Sequence, residues 1–180
     1  MRSFLRALFA LPLVAAALAA QAQTPAFAPV VRSSGYVGDA GYTEGYTFSL
    51  TTVMSVSALG FYDYQQNGLV QAHQVGLWSS TGTLLASVTV PSGTSAPLTG
   101  ASRYVSLATP VLLAVGTTYT MGAYMGNGSD LGVYYGTSNP IAGVTFGTAM
   151  VDNGGGAFSR PTSATGEDQG YFGPNLLVTP

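Results

Sequence analysis

His73 is the only histidine in the chain, so any serine–histidine–aspartate relay would have to run through it. It opens the stretch His73-Gln74-Val75-Gly76-Leu77-Trp78, whose alternation puts His73, Val75 and Leu77 on one face of a strand. That phase makes His73 a scaffold residue at a strand end, and no G-x-S-x-G elbow occurs. No catalytic residue is assigned. With no cysteine and one histidine, zinc and haem sites of ordinary composition fail on ligand count. Calcium asks only for oxygens. Asp39, Glu44, Asp130, Asp152, Asn153, Glu167 and Asp168 are all expected in loops, without a D-x-D-x-D-G run. A structural calcium would therefore be assembled from separate loops, with Asp39, Glu44, Asp152, Asn153, Glu167 and Asp168 as its candidate ligands. A glycosidase pair of carboxylates is not indicated: Glu167 and Asp168 are adjacent and diverge in an extended chain, and Asp39 and Glu44 fall in a Gly-rich turn region.

The aromatic residues carry the stronger binding chemistry. Tyr62, Tyr64, Trp78, Tyr124, Tyr134 and Tyr135, with Tyr171 beyond them, offer apolar ring faces with polar edges that suit stacking on sugars. Trp78 lies opposite the His73/Val75/Leu77 face. It is available for binding if only that inner face is covered, and it is core if both faces are; a lone Trp in a sandwich is more often packed.

Short strands must position these groups. Tyr46-Thr47-Phe48-Ser49-Leu50 alternates strictly, and Met54 to Phe61 slips phase between Val56 and Leu59, where a bulge is expected. Asp63 to Gly68 reads as a loop with an Asn-Gly turn. Ser79-Ser80-Thr81-Gly82 is a tight turn, and its return strand places Leu84, Ala86, Val88 and Val90 inward until Pro91. Arg103 to Leu107 is a further strand, with Val105 and Leu107 inward and Pro110 as punctuation. Leu113-x-x-Gly116-x-x-Tyr119 has the spacing of a tyrosine corner leading into a strand from Thr118 to Tyr124. Gly132 to Tyr135, Ile141 to Phe146 and Tyr171 to Val178 complete the set, with Pro174 marking an edge or bulge. No helical period survives. Nine or so strands in one unit predict an all-β fold, a single antiparallel β-sandwich of jelly-roll-like form.

Arg2 and Arg6 precede an apolar run of 14 residues from Ala7 to Ala20, and Ala20-Gln21-Ala22 fits a small-x-small cleavage site. Residues 1–22 are accordingly expected as a cleaved signal peptide, with Ala17-Leu18-Ala19 as a second site of the same kind. The run falls short of the ~20 residues that span a bilayer, so no membrane span is expected in the mature chain. Residues 23–34 read as a flexible leader and 35–180 as the sandwich, exported to the surface or the medium, with the periplasm as second choice. Loss of the two leader arginines takes the formal charge from −2 to about −4 and leaves Arg32, Arg103 and Arg160 as the only cations. Three scattered arginines make no phosphate-binding footprint, so nucleic acid is excluded as a partner.

His73-Gln74-Val75-Gly76-Leu77-Trp78 with Ser80-Thr81-Gly82-Thr83-Leu84-Leu85-Ala86, Arg103-Tyr104-Val105, the Leu113/Gly116/Tyr119 corner, Gly156-Ala157-Phe158 and Tyr171-Phe172-Gly173-Pro174-Asn175 together resemble a domain of unknown function. It is found in exported bacterial proteins, many with PEP-CTERM sorting tails. The resemblance spans roughly residues 35 to 178 and implies a surface or secreted β-sandwich with no established activity. The sequence carries no Pro-Glu-Pro tail, ending at Val178-Thr179-Pro180. The expected function is a non-enzymatic module of the cell envelope or matrix, structural or glycan-binding, with polysaccharide or envelope components as partners. A secreted hydrolase of polysaccharide or peptide, and an adhesin-like domain that pairs by a sheet edge, stand as alternatives.

Overall fold

The structure is a computed structural model and describes residues 22–30, 36–38, 41–126, 130–152, 154–165 and 170–179. Its strands are numbered in chain order. The first sheet runs β1 (Thr24–Pro25), β15 (Pro174–Thr179), β5 (Met54–Tyr62), β9 (Ser102–Leu113), β8 (Leu98–Thr99). The second runs β13 (Ser163–Ala164), β12 (Val144–Asp152), β4 (Thr43–Leu50), β10 (Thr118–Tyr124), β6 (His73–Trp78), β7 (Leu84–Val90). A third, smaller sheet joins β14 (Gly170–Phe172), β11 (Leu131–Pro140) and β2 (Phe27–Val30), with β3 (Tyr36–Gly38) also on β11. All pairings are antiparallel. With β1, β4, β5, β6, β7, β9, β10 and β15 counted in order, one sheet reads first-eighth-third-sixth and the other second-seventh-fourth-fifth. That is the double Greek key of a jelly roll, and the protein is an antiparallel β-sandwich.

The alternation of β4 places Tyr46, Phe48 and Leu50 in the core, where they meet Met54, Leu59 and Phe61 of β5 and Val75 and Leu77 of β6. Tyr46 and Phe27 pack edge to face at 4.8 Å, an arrangement that contributes about 0.5–1.5 kcal/mol beyond burial. The phase slip in β5 is a bulge: Val56 and Ala58 are paired across both ladders, and Ser57 is the residue where register shifts. Gly45, Gly122 and Gly76 stand side by side on β4, β10 and β6. A Cβ on Gly45 would collide with the backbone oxygen of Met121, so this position admits only glycine.

The tyrosine corner forms as its spacing predicts. Gly116 takes φ 71° and donates its N–H to Leu50 O at 3.1 Å, while the Tyr119 hydroxyl accepts the Ala114 N–H at 2.8 Å. Tyr119→Phe orphans that N–H and is expected to cost about 1–2 kcal/mol, read as a lower urea midpoint at unchanged slope. An unchanged midpoint would mean that the glycine turn alone holds the corner.

Several expectations need correction. Residues of the expected leader form β1 and β2, and Phe27 is a fully buried core residue. Pro25 and Pro29 disguise these segments, and prolines are tolerated at strand ends and edges. The Asn175 amide donates to Phe27 O at 2.8 Å, and the Tyr46 hydroxyl donates to Pro174 O at 3.1 Å, so side chains lock both terminal strands in place. β9 does not stop at Pro110 but passes it in a bulge, with Leu107 to Pro110 facing the single residue Ser57. Leu84 points outward at 47 % exposure, because the register shifts between Leu77 and Trp78 and gives its inward place to Leu85. Ile141 to Gly143 is a turn rather than the start of a strand, with Gly143 at φ 88°. Residues 1–21, 31–35, Asp39, Asn153, Glu167 and Asp168 lie outside the described residues.

Candidate functional site

The chain leaves β5 at Tyr62 and must reach β6 in the opposite sheet, and Asp63 to Ala72 makes that crossing. Tyr64–Gln66 is one turn of 3-10 helix. Gln65 and Gln66 hold φ 62° and 58°, a left-handed backbone that side chains other than glycine rarely adopt and that costs of order 1–3 kcal/mol each. Such strain persists only where the surroundings impose it. Two buried carboxylates do so here. Asp63 accepts the Gly68 N–H at 3.1 Å and the Arg103 Nε–H at 2.6 Å, while Arg103 Nη1 donates to Thr94 O and Ala96 O. Asp130 accepts the Val70 N–H on Oδ1 and the Gln71 N–H on Oδ2, both at 2.8 Å. Leu69 and Gly93 add a backbone bridge between the two clamps.

Between this loop and β11 lies a cleft of about 120 Å³, lined by Tyr64, Gln65, Asn67, Gly68, Val70, Asp130 and Leu131. A phenol ring, two amides and a carboxylate converge there. Oδ1 of Asp130 receives one described donor, which leaves a second lone pair for a ligand hydroxyl. Among the described residues, the cleft lining contains no cation.

His73 stands behind the cleft and does not enter it. Its exposure is 0 %, its ring stacks on Phe61 with centroids 3.7 Å apart, Nδ1–H donates to Tyr124 O at 3.1 Å, and Nε2 lies 3.0 Å from Asp130 Oδ2. Both nitrogens are engaged. The ring orients Asp130, and Asp130 orients the loop.

Of the six aromatic candidates, Tyr64 lines the cleft; Tyr62 packs in the core; and Tyr124 is half-buried, presenting its carbonyl to His73. The side chains of Tyr134, Tyr135 and Tyr171 lie outside the described residues. Trp78 faces away from the core, as its phase requires, yet is only 5 % exposed because Phe158 covers it at 5.2 Å between ring centroids. The segment from Gly156 to Pro161 crosses this outer face as a strap. It lies on the glycine row: a Cβ on Gly76 would sit 2.6 Å from Phe158, and one on Gly122 would sit 2.9 Å from Pro161. Strand β6 is therefore covered on both faces.

Glu44 does not lie in a loop. It occupies β4 in phase with Tyr46 and Phe48, buried at 2 %, with the Tyr42 hydroxyl bonded to it. Asp152 belongs to the opposite phase, since it pairs with Thr43, and its carboxylate accepts the Gly154 N–H at 3.0 Å and the Ser159 hydroxyl. The two acids thus occupy opposite faces of one sheet. Among the described residues no three His, Cys, Asp or Glu gather as a cation site. Sequence reasoning did not join Asp130 to His73 or Asp63 to Arg103. The Asn67-Gly68 turn was the one local sign that this loop is shaped.

An antiparallel jelly roll with a polar cleft at the crossing between its sheets is the class of protein these features define. Residues 28–173 match the family model described as Domain of unknown function (DUF4082), and the chain belongs to that family. No curated protein matches the chain.

Proposed function

We propose that this protein is an exported, non-catalytic module of the bacterial envelope or extracellular matrix whose cleft binds neutral polysaccharide. The observation that carries the reading is the convergence of Tyr64, Gln65, Asn67 and Asp130 on one polar cleft held by a strained, doubly clamped loop. A ring face stacks on a pyranose, amides and carboxylate meet its hydroxyls, and rigidity removes the entropy cost of ordering the loop on binding. A cleft with a carboxylate and no cation disfavours uronates and sulfated sugars. The non-catalytic part rests on His73, whose nitrogens are both taken, and on Asp63, which is tied to Arg103. Asp130 is then the one described carboxylate at the cleft, whereas glycoside cleavage ordinarily needs two. Export is supported by the Arg2/Arg6 and Ala7 to Ala20 pattern.

The test is thermal denaturation of the purified protein against neutral and anionic polysaccharides. A neutral glycan at about 100 times its Kd stabilises by ~2.7 kcal/mol, which at about 2–4 °C per kcal/mol raises Tm by several degrees. Tyr64→Ala combined with Asn67→Ala should erase that shift, read against the variant's own ligand-free Tm, which is lowered because the Tyr64 ring also packs on the core. If no neutral glycan raises Tm, or if the double variant responds as the parent does, the proposal fails.

A further inference from the structure

We propose that the pocket beside Tyr104, on the outer face of the first sheet, binds the acetyl group of an acetylated polysaccharide. Alternation along β9 sends Val105 toward the core and Tyr104 to the opposite face, where its ring packs with Ala58 and Leu177 apart from the main core. The ring has room there because its partner across the ladder is Gly60, on which a Cβ would stand 2.5 Å from it. The hydroxyl at the end of the ring is enclosed, and among the described residues no acceptor stands in hydrogen-bonding geometry to it. The nearby Ser102 hydroxyl favours the phenolate, as a donor does, and so leaves the phenol proton unmet. Tyr46 and Tyr119 are buried too, but each has a partner for its hydroxyl. A buried donor left unmet is destabilising, and a native fold keeps few of them.

Tyr104 lines a pocket of about 100 Å³, walled by Pro25 and Phe27 to Pro29 on one side and by the turn from Thr99 to Ala101 on the other. Asn175 also lines it, but its amide is spent on Phe27 O and the Leu176 N–H. A water asks for two to four polar partners, and these walls offer little beyond the phenol. A carboxylate would lose its hydration against prolines and find no cation among the described lining residues. A whole sugar ring brings several hydroxyl donors that the walls cannot meet. What fits is one carbonyl acceptor on a short apolar stem. A cavity of about 150 Å³ admits a benzene ring, so this one admits a group of about four heavy atoms. Acetamido and acetoxy groups are of that size. The methyl packs among Pro25, Phe27 and Pro29, the carbonyl oxygen accepts from Tyr104, and the chain that carries them stays outside, at the exposed rim of Ala28 and Gly100. The polysaccharide as carrier rests on the reading above; the pocket itself uses none of the cleft residues.

Titration calorimetry on the purified protein compares two pairs of neutral chains. A chito-oligosaccharide is set against a cello-oligosaccharide, which lacks the acetamido group, and an O-acetylated xylo-oligosaccharide against its alkali-deacetylated form. In at least one pair the acetylated chain should bind at least about tenfold more tightly, and the pair that responds tells amide from ester. Tyr104→Phe keeps the ring and removes the donor. It should leave the ligand-free Tm equal or higher, because an unmet buried donor is gone, and should cut the acetyl preference severalfold. The response to the unacetylated chains reads the cleft, and the difference within each pair reads this pocket, so either site can fail without the other. Equal affinity within both pairs, no binding of either acetylated chain, or a preference kept in full by Tyr104→Phe would overturn the proposal.

Discussion

Replacing Asp63 by alanine should cost about 3–5 kcal/mol of folding stability, a large part of the 5–15 kcal/mol typical of a single domain. The reason lies in what stays behind. Asp63 is 1 % exposed and its partner Arg103 is 5 % exposed, so the substitution strands a guanidinium in a site with little water. The two carbonyls at Thr94 and Ala96 still accept from it, but neither carries a compensating charge. Gly68 loses its acceptor as well, and the left-handed turn at Gln65 and Gln66 loses one of its two clamps. The double change Asp63→Ala with Arg103→Met should recover much of the loss, because no charge is then buried alone. Urea denaturation of the three variants reads both effects. A single variant within ~1 kcal/mol of the parent would show that water reaches Arg103.

Alkaline pH should destabilise the protein steeply. Burial pushes the Tyr46 hydroxyl well above the ordinary tyrosine value, and burial likewise raises Tyr104. A phenol whose value is raised on folding keeps its proton in the native state after the unfolded chain has lost it. The stabilisation is fully present below about pH 10 and drains away as pH climbs past that point. By pH 11 the two phenols together cost on the order of 3 kcal/mol. Burial raises Tyr42 and Tyr62 as well, so Tyr104→Phe should lower the slope of stability against pH in that range without abolishing it. If the slope survives both Tyr104→Phe and Tyr46→Phe, these phenols are not its origin.

Much of the fold is legible in the sequence wherever one residue dictates its neighbours. Alternation in Tyr46 to Leu50 and His73 to Trp78, and the spacing of Leu113, Gly116 and Tyr119, are local rules with local consequences, and they hold. The phase of β7 is not legible at Leu84, because a register shift depends on which residue of β6 it faces. Thr24 to Val30 conceals two strands because its prolines suit an edge, and no sequence rule tells an edge from a leader. The site was least legible of all. The Asp130 carboxylate and the His73 ring are 57 residues apart, and Arg103 is 40 residues from Asp63. Tyr64 alone of the described aromatic candidates reaches the cleft, for the loop's path, and not the ring's type, decides what it faces.

Trp78 is the only tryptophan in the chain, and it touches the strap through Phe158. Its fluorescence is thus a reporter of the outside of the sandwich, where the strap lies on β6, whereas the tyrosines of the core report on the packing between the sheets. Emission that moves before tyrosine absorbance on heating would mark the strap as a separate cooperative unit; coincident transitions would mark strap and sandwich as one.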